Sequence, residues 1–192
     1  MPQYLEFEVS LLGIKPRIWR RFQLKSSASF QDLHEAIQDA GGWFDGHLFE
    51  FQEPGRERRS LAGTEVPEED RLFEDEDLAP PARKAKVGSW FKKKGDKCVY
   101  LYDFGDGWEL SVVVKGMVED AAKFKRRLLG GERAFPPEDC GGPFGYELCV
   151  AVMSGEKIAD WDEEELAERK EWLGDWRPED FDLATARKGF DG

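Results

Sequence analysis

The first dozen residues alternate between apolar and polar side chains, and this pattern restricts the possible folds more than any other feature of the chain. The apolar positions are Leu5, Phe7, Val9 and Leu11. A period of two places them on one face of a β-strand whose other face is polar. Turn signals at residues 13–16 and a second β-rich run at residues 18–24 follow. Together these features predict an antiparallel hairpin at the start of the chain.

A second hairpin is predicted in the middle of the chain. Two β-rich runs, at residues 99–103 and 108–118, flank a four-residue segment that ends in Asp106-Gly107. An Asp-Gly pair between two such runs is typical of a tight hairpin turn. A shorter strand is predicted at residues 48–52, after an aromatic loop.

Helical patterns surround these strands. The clearest begins after Ser29, a typical N-cap residue, with Asp32 three positions later and apolar residues at helical spacing up to Gly41. Further helices are predicted at residues 120–129, 146–153, 162–173 and 183–188. Two hairpins with packed helices favour an α+β fold whose sheet is mostly antiparallel.

The length of 192 residues predicts a single domain over residues 1–192, with a charged excursion at about residues 53–97. The excursion carries an acidic run at residues 65–77 and then a basic stretch at residues 83–97. Runs of like charge are mostly solvated, so we interpret residues 53–86 as surface loops. A binding patch is the alternative interpretation.

The charge balance excludes several classes of function. The chain has 28 Lys and Arg residues against 40 Asp and Glu, a formal net charge of −12, which disfavours direct binding of nucleic acids. No stretch reaches the roughly 18 apolar residues of a membrane span, and no signal-peptide pattern opens the chain. We therefore expect a soluble, cytoplasmic protein with no membrane partner. The three cysteines form no CxxC pair and are expected to be reduced thiols.

Carboxylates on predicted turns are the main candidates for chemistry, because no nucleotide-binding, serine-hydrolase or zinc-protease motif occurs. These residues are Asp103, Asp106, Glu138 and Asp139. Brought together, they could bind Mg²⁺ or Ca²⁺ or form an acid–base pair. Carboxylates beside Gly and Pro also satisfy backbone N–H groups in turns, so a structural role is the alternative. We predict no other cofactor.

Four further residues are candidates for contact with a ligand. His47 lies in an aromatic loop before a strand, where it could act as a general base or hydrogen-bond the neighbouring backbone. Trp19 and Arg20 belong to a basic strand that could bind an anionic partner or be covered by acidic groups of the same chain. Trp108 borders the second hairpin turn.

Five blocks of sequence, taken in order, resemble one known family. They are residues 15–21, 32–38, 42–48, 102–108 and 136–146. Their order is similar to that in the plasmid pRiA ORF-three-like family, whose members are also labelled TnpR-like passenger proteins of mobile elements. The resemblance implies a compact α/β-roll, a prokaryotic source with a mobile-element association, and no assigned biochemical activity.

The chain departs from the family's pattern at its histidines. Where family members often carry further histidines, this chain has Phe49, Leu110 and the segment 154–161. If the family pattern marks a histidine metal site, most of its imidazole ligands are absent from this sequence. A site built from carboxylates alone would favour Mg²⁺ or Ca²⁺.

Three functions are compatible with these features. The leading hypothesis is a non-enzymatic binding or protein-interaction module that presents residues 102–108 and 136–142 to an unknown protein or small ligand. One alternative is a metal-assisted hydrolase in which the four turn carboxylates hold a divalent ion and His47 is the base. The other alternative is an acidic surface that mimics DNA toward a basic protein.

Overall fold

One antiparallel sheet organises the chain. The structure is a computed structural model, and it describes residues 1–65, 79–159 and 161–191. The strands are β1 (Gln3–Leu11), β2 (Trp19–Lys25), β3 (Phe49–Gln52), β4 (Ser60–Gly63), β5 (Lys97–Tyr102), β6 (Trp108–Glu119) and β7 (Arg126–Glu132). Within the described residues they form a seven-stranded sheet in the order β4-β3-β5-β6-β1-β2-β7, and every neighbouring pair is antiparallel.

The two predicted hairpins form the centre of this sheet. They are β1–β2 and β5–β6, and β1 pairs with β6 to join them. The alternation predicted for β1 is confirmed, because Leu5, Phe7 and Val9 are fully buried in the core. The aromatic side chains of this core include Phe7 and Phe22, whose ring centroids lie 6.0 Å apart across the first hairpin.

On the opposite face of the first hairpin, basic side chains pair with a carboxylate of the same chain. Arg17 and Arg21 each donate a 2.8 Å hydrogen bond to the carboxylate of Glu8. Burial alone would raise the pKa of the Glu8 carboxyl, but these two arginines and Lys115 lower it to about 2. The basic residues of this strand face are therefore engaged with a carboxylate of the neighbouring strand.

Five helices of the described chain cover the sheet and its ends. They are α1 (Phe30–Gly41), α2 (Val87–Trp90), α3 (Gly142–Ser154), α4 (Glu163–Leu173) and α5 (Leu183–Phe190). The capping box predicted from Ser29 and Asp32 is present at the start of α1. In the described part of the chain, no helix combines the length and the apolar character that crossing a bilayer requires.

The α+β class is confirmed, but two local predictions are wrong. The sequence pattern predicts a helix at residues 120–129, whereas residues 126–132 form β7, because they pair with the edge of β2. The charge pattern predicts surface loops at residues 53–86, whereas Ser60–Gly63 pairs with β3 as a short edge strand. Most of the acidic run, residues 66–77, lies outside the described residues.

Candidate functional site

Three separate segments meet at one end of the central hairpins. They are the loop between α1 and β3, the turn between β5 and β6, and the loop at residues 135–141, which we call the Pro-Pro loop. They contribute His47, Asp103 and Asp139, whose ligand atoms all lie within 4.8 Å of one another. His47 Nε2 lies 2.8 Å from Asp139 Oδ1 and 3.7 Å from Asp103 Oδ2. We call these three residues the His–Asp cluster.

Local backbone geometry turns the two carboxylates toward the histidine. Asp103 and Asp139 both have left-handed backbone conformations, with φ values of 52° and 60°. The N–H groups of Gly105 and Asp106 donate to Asp103 Oδ1 at 3.0 and 3.2 Å. One carboxylate oxygen of Asp103 thus closes the hairpin turn, and the other oxygen faces His47.

Trp43 holds the three segments together. Its indole ring stacks on Tyr102 of β5 at a centroid distance of 5.0 Å and meets Phe135 edge-on at 5.2 Å. Its Nε1 donates a 2.9 Å hydrogen bond to the carbonyl oxygen of Pro136. The site is therefore built on an aromatic scaffold that is contiguous with the core.

Asp106 and Glu138 lie beside the cluster and join the loops instead of contributing ligand atoms to it. The N–H of Gly141 donates to Asp106 Oδ2 at 3.2 Å, which ties the hairpin turn to the Pro-Pro loop. Glu138 accepts hydrogen bonds from the Tyr102 hydroxyl and from the Phe44 N–H. Burial, together with the carboxylate of Glu138, raises the pKa of the Tyr102 hydroxyl above its usual value. Of the four turn carboxylates predicted to bind an ion, Asp103 and Asp139 lie in the His–Asp cluster, whereas Asp106 and Glu138 lie outside it.

The other candidates for ligand contact have structural roles. Arg20 is only 3% exposed, donates to the carbonyl oxygens of Ala40, Trp19 and Glu132, and stacks on Phe135. Burial lowers the pKa of its guanidinium to about 10.

Trp19 donates from Nε1 to Glu132 at 2.9 Å, on a strand outside the three site segments. Trp108 is 2% exposed and packs 5.9 Å from Trp43. Burial removes Arg20 and Trp108 from direct contact with a ligand, which corrects those two predictions.

A buried network beneath the cluster was not identified from the sequence. His34 is fully buried, with its Nδ1 2.7 Å from the Tyr100 hydroxyl and its Nε2 2.6 Å from Asp45 Oδ1. Gln38 donates to the same hydroxyl and accepts from the Asp45 N–H. This network fixes the loop that carries His47, because Asp45 lies two residues before it. A histidine on a helix face gives no sequence signal of such a role.

The two histidines have opposite pKa shifts. Burial lowers the pKa of His34 below its ordinary value of 6.5, and this effect outweighs the charge of Asp45. For His47, slight burial opposes protonation, but the hydrogen bond to Asp139 and the charges of Asp103 and Glu138 raise its pKa. His47 is thus the more basic group and sits among acidic partners.

These two shifts predict that the stability of the protein depends on pH. A single substitution can separate the contribution of His47 from that of His34. The contribution of His34 to the free energy of unfolding falls as the pH drops below 6.5, because the buried ring must become charged. The His47 contribution is complete below pH 6.5 and disappears as pH rises through its raised pKa. We therefore expect His47→Gln to be less stable than the wild type below pH 6.5 and to converge with it at higher pH. Urea unfolding between pH 5 and 9 measures this, and a constant difference across the range would contradict it.

Comparison with known proteins places the chain in a family. The profile of a family described as "Plasmid pRiA4b ORF-3-like protein" matches residues 3–185. The uncharacterized protein y4hQ of Sinorhizobium fredii (strain NBRC 101917 / NGR234) is 35% identical over 184 residues, covering 95% of this chain and 85% of the relative. The crystal structure of MM3350, a protein of unknown function from Methanosarcina mazei Go1, has a TM-score of 0.76 and 31% identity, covering 96% of this chain and 98% of that one. As the sequence resemblance predicted, the chain belongs to the plasmid pRiA4b ORF-3-like protein family.

Proposed function

We propose that this chain is a non-enzymatic binding domain, and that the ligand of its His–Asp cluster is a divalent transition-metal ion. The observation that carries the proposal is the convergence of one imidazole and two carboxylates from three separate segments to within 4.8 Å. Side chains far apart in sequence meet here at the end of a rigid sheet. The association with mobile elements stays a prediction from the family resemblance.

The two distances from His47 to the aspartates suit such an ion. Metal–nitrogen and metal–oxygen bonds of 2.0–2.2 Å place neighbouring ligand atoms about 3.0–3.5 Å apart. The distances of 2.8 and 3.7 Å from His47 Nε2 to Asp139 and Asp103 bracket that range. An imidazole ligand favours Zn²⁺, Cu²⁺, Fe²⁺ or Ni²⁺ over the Mg²⁺ or Ca²⁺ expected for carboxylates alone.

Several features favour binding over catalysis. The ring nitrogen of His47 that faces the two aspartates cannot serve both as a metal ligand and as a general base. Glu138, the adjacent carboxylate, already accepts two hydrogen bonds. The nearby thiol of Cys140 is buried, and its hydrogen bond with Cys149 and its burial raise its pKa, so it is not a nucleophilic thiolate at neutral pH.

A metal-assisted hydrolase remains the second candidate. One observation favours it: three protein ligands leave coordination positions for water, as in catalytic metal sites. Turnover of model phosphate and carboxylate esters by the metal-loaded protein, lost in Asp139→Asn, would replace the binding proposal with this one.

Calorimetric titration with Zn²⁺ and Co²⁺ tests the metal site. We expect one equivalent to bind, with affinity reduced by at least the roughly 10–100-fold that loss of an outer-shell partner costs, in His47→Gln, Asp103→Asn and Asp139→Asn. Affinity should rise with pH, because His47 must lose its proton to bind the ion. Asp175→Asn is the matched control, since Asp175 is exposed and lies outside the His–Asp cluster. Equal affinities in the control and the three site variants would reject the proposal.

A further inference from the structure

A groove lined by aromatic rings and carboxylates runs past the His–Asp cluster. It consists of two clefts with volumes of about 460 and 450 Å³. Both clefts are lined by Asp139 and Trp172, so they meet at these two residues. The side chain of Asp139 is 69% exposed. The combined groove therefore passes one carboxylate of the cluster, and this carboxylate is exposed to solvent.

The first cleft lies between the Pro-Pro loop and the end of α1. Its aromatic lining comes from Phe44, Phe135, Trp172 and Trp176, and Glu138 adds a carboxylate. Phe44 is 85% exposed and Trp172 is 48% exposed. Large apolar side chains that remain this exposed beside a cleft are typical of interaction surfaces.

In the second cleft, a cationic side chain of the protein lies against two aromatic rings. Its lining includes Trp161, Trp172, Glu165, Glu168 and Arg169. The guanidinium of Arg169 lies 5.8 Å from the ring centroid of Trp161 and 5.1 Å from that of Trp172. Among the described residues, no carboxylate forms an ion pair with it. The indole faces therefore hold a guanidinium through cation–π contact.

We propose that this groove binds a basic peptide segment of a partner protein, with arginine side chains of that segment against Trp161 and Trp172. Charge complementarity identifies the occupant. Glu138, Asp139, Glu165 and Glu168 line the groove against the single cation of Arg169. The whole chain carries a net charge of −12, which attracts a basic segment and repels nucleic acids, anionic lipids and a second copy of itself. Guanidinium groups stack on indole rings better than ammonium groups do.

The proposal goes beyond the metal site and is tested without it. Fluorescence anisotropy of a labelled (Gly-Arg)₄ peptide is measured with full-length protein in the presence of a chelator. We expect (Gly-Arg)₄ to bind at least tenfold more tightly than (Gly-Glu)₄ and a few-fold more tightly than (Gly-Lys)₄. Equal affinity for the arginine and glutamate peptides would overturn the proposal. Because the chelator removes metal, failure here leaves the metal titration unaffected.

Substitutions in the groove locate the binding. We expect Trp172→Ala to weaken (Gly-Arg)₄ binding about tenfold and Glu168→Gln about threefold. The matched controls are Phe144→Ala, an aromatic residue 72% exposed that does not line the groove, and Glu171→Gln on the same helix as Glu168; neither should change affinity more than twofold.

Substitution of Arg169 should change the affinity for the peptide in the opposite direction. Arg169→Gln frees both indole faces, so binding of (Gly-Arg)₄ should strengthen about threefold. If affinity instead falls together with the melting temperature, the two tryptophans serve only to pack Arg169 and the proposal fails. Dimerisation of the wild type that Trp172→Ala abolishes would also overturn it, because a second copy would then occupy the groove.

Discussion

Replacing Trp43 with alanine is expected to lower the free energy of unfolding by about 3–5 kcal/mol, the usual cost of truncating a buried tryptophan. Trp43 is 5% exposed and touches Tyr102, Trp108 and Phe135, which belong to different segments. Its removal also leaves the carbonyl of Pro136 without its hydrogen-bond donor. Urea denaturation at pH 7 measures the loss. A change below about 1 kcal/mol would show that the scaffold does not depend on this ring.

Two controls separate the contributions of Trp43. Phe44→Ala changes the next residue, whose side chain is 85% exposed, and should alter stability by less than about 0.5 kcal/mol. Trp43→Phe keeps most of the ring packing but loses the bond to Pro136, so we expect an intermediate cost of about 1–2 kcal/mol. If Phe44→Ala costs as much as Trp43→Ala, the loop as a whole and not the indole would be responsible.

Elements with strong local patterns were predictable from the sequence. The period-2 alternation of β1 predicts the strand because its apolar face packs in the core, and residues such as Leu5 and Phe7 follow it. The start of α1 was predictable because its capping box, Ser29 with Asp32, lies within four residues of sequence. In both elements the determining interactions are either local or follow directly from an apolar face that packs in the core.

β7 and β4 could not be predicted because their partners determine them. Residues 126–132 carry no alternation, yet they pair with β2, where Gly131 lies opposite Arg20. A side chain on Gly131 would come within 2.6 Å of Arg20 and 2.8 Å of Phe181, so this position requires glycine for packing. β4 is four residues long, and its position depends on pairing with the edge of β3 and on a bridge from Gly63 to Pro81.

The residue types of the candidate site were predictable from the sequence, but the particular residues that form it were not. Aspartates beside glycines marked the turns, and Asp103 and Asp139 do lie in left-handed conformations that such turns need. Which carboxylates face His47 depends on how the two loops approach each other. The sequence cannot show that Asp106 is used to bind the Gly141 N–H. His34 supports the loop through Asp45, and this role could not be predicted either, because it depends on the burial of the His34 ring.

The close approach of the hairpin turn and the Pro-Pro loop predicts a large effect for Gly142→Ala. Gly142 has a φ of 68°, and a Cβ there would lie 2.3 Å from the carbonyl oxygen of Asp106. The left-handed conformation costs an alanine about 1–2 kcal/mol, and displacing the turn costs about 1–3 kcal/mol more. We expect a total loss of about 2–5 kcal/mol in the free energy of unfolding, measured by urea denaturation.

Gly155→Ala isolates the second part of this cost. Gly155 has a similar φ of 75°, but nothing lies within 4 Å of its Cβ position, so only the conformational penalty applies. The two variants should also differ in Zn²⁺ affinity. Pushing Asp106 away moves Asp103 and Asp139 apart, and we expect Gly142→Ala to weaken binding at least tenfold while Gly155→Ala leaves it unchanged. Loss of stability with unaltered Zn²⁺ affinity would show that the cluster does not depend on this contact. Loss of both stability and Zn²⁺ affinity would show that the geometry of the metal ligands depends on Gly142, where the hairpin turn approaches the end of the Pro-Pro loop.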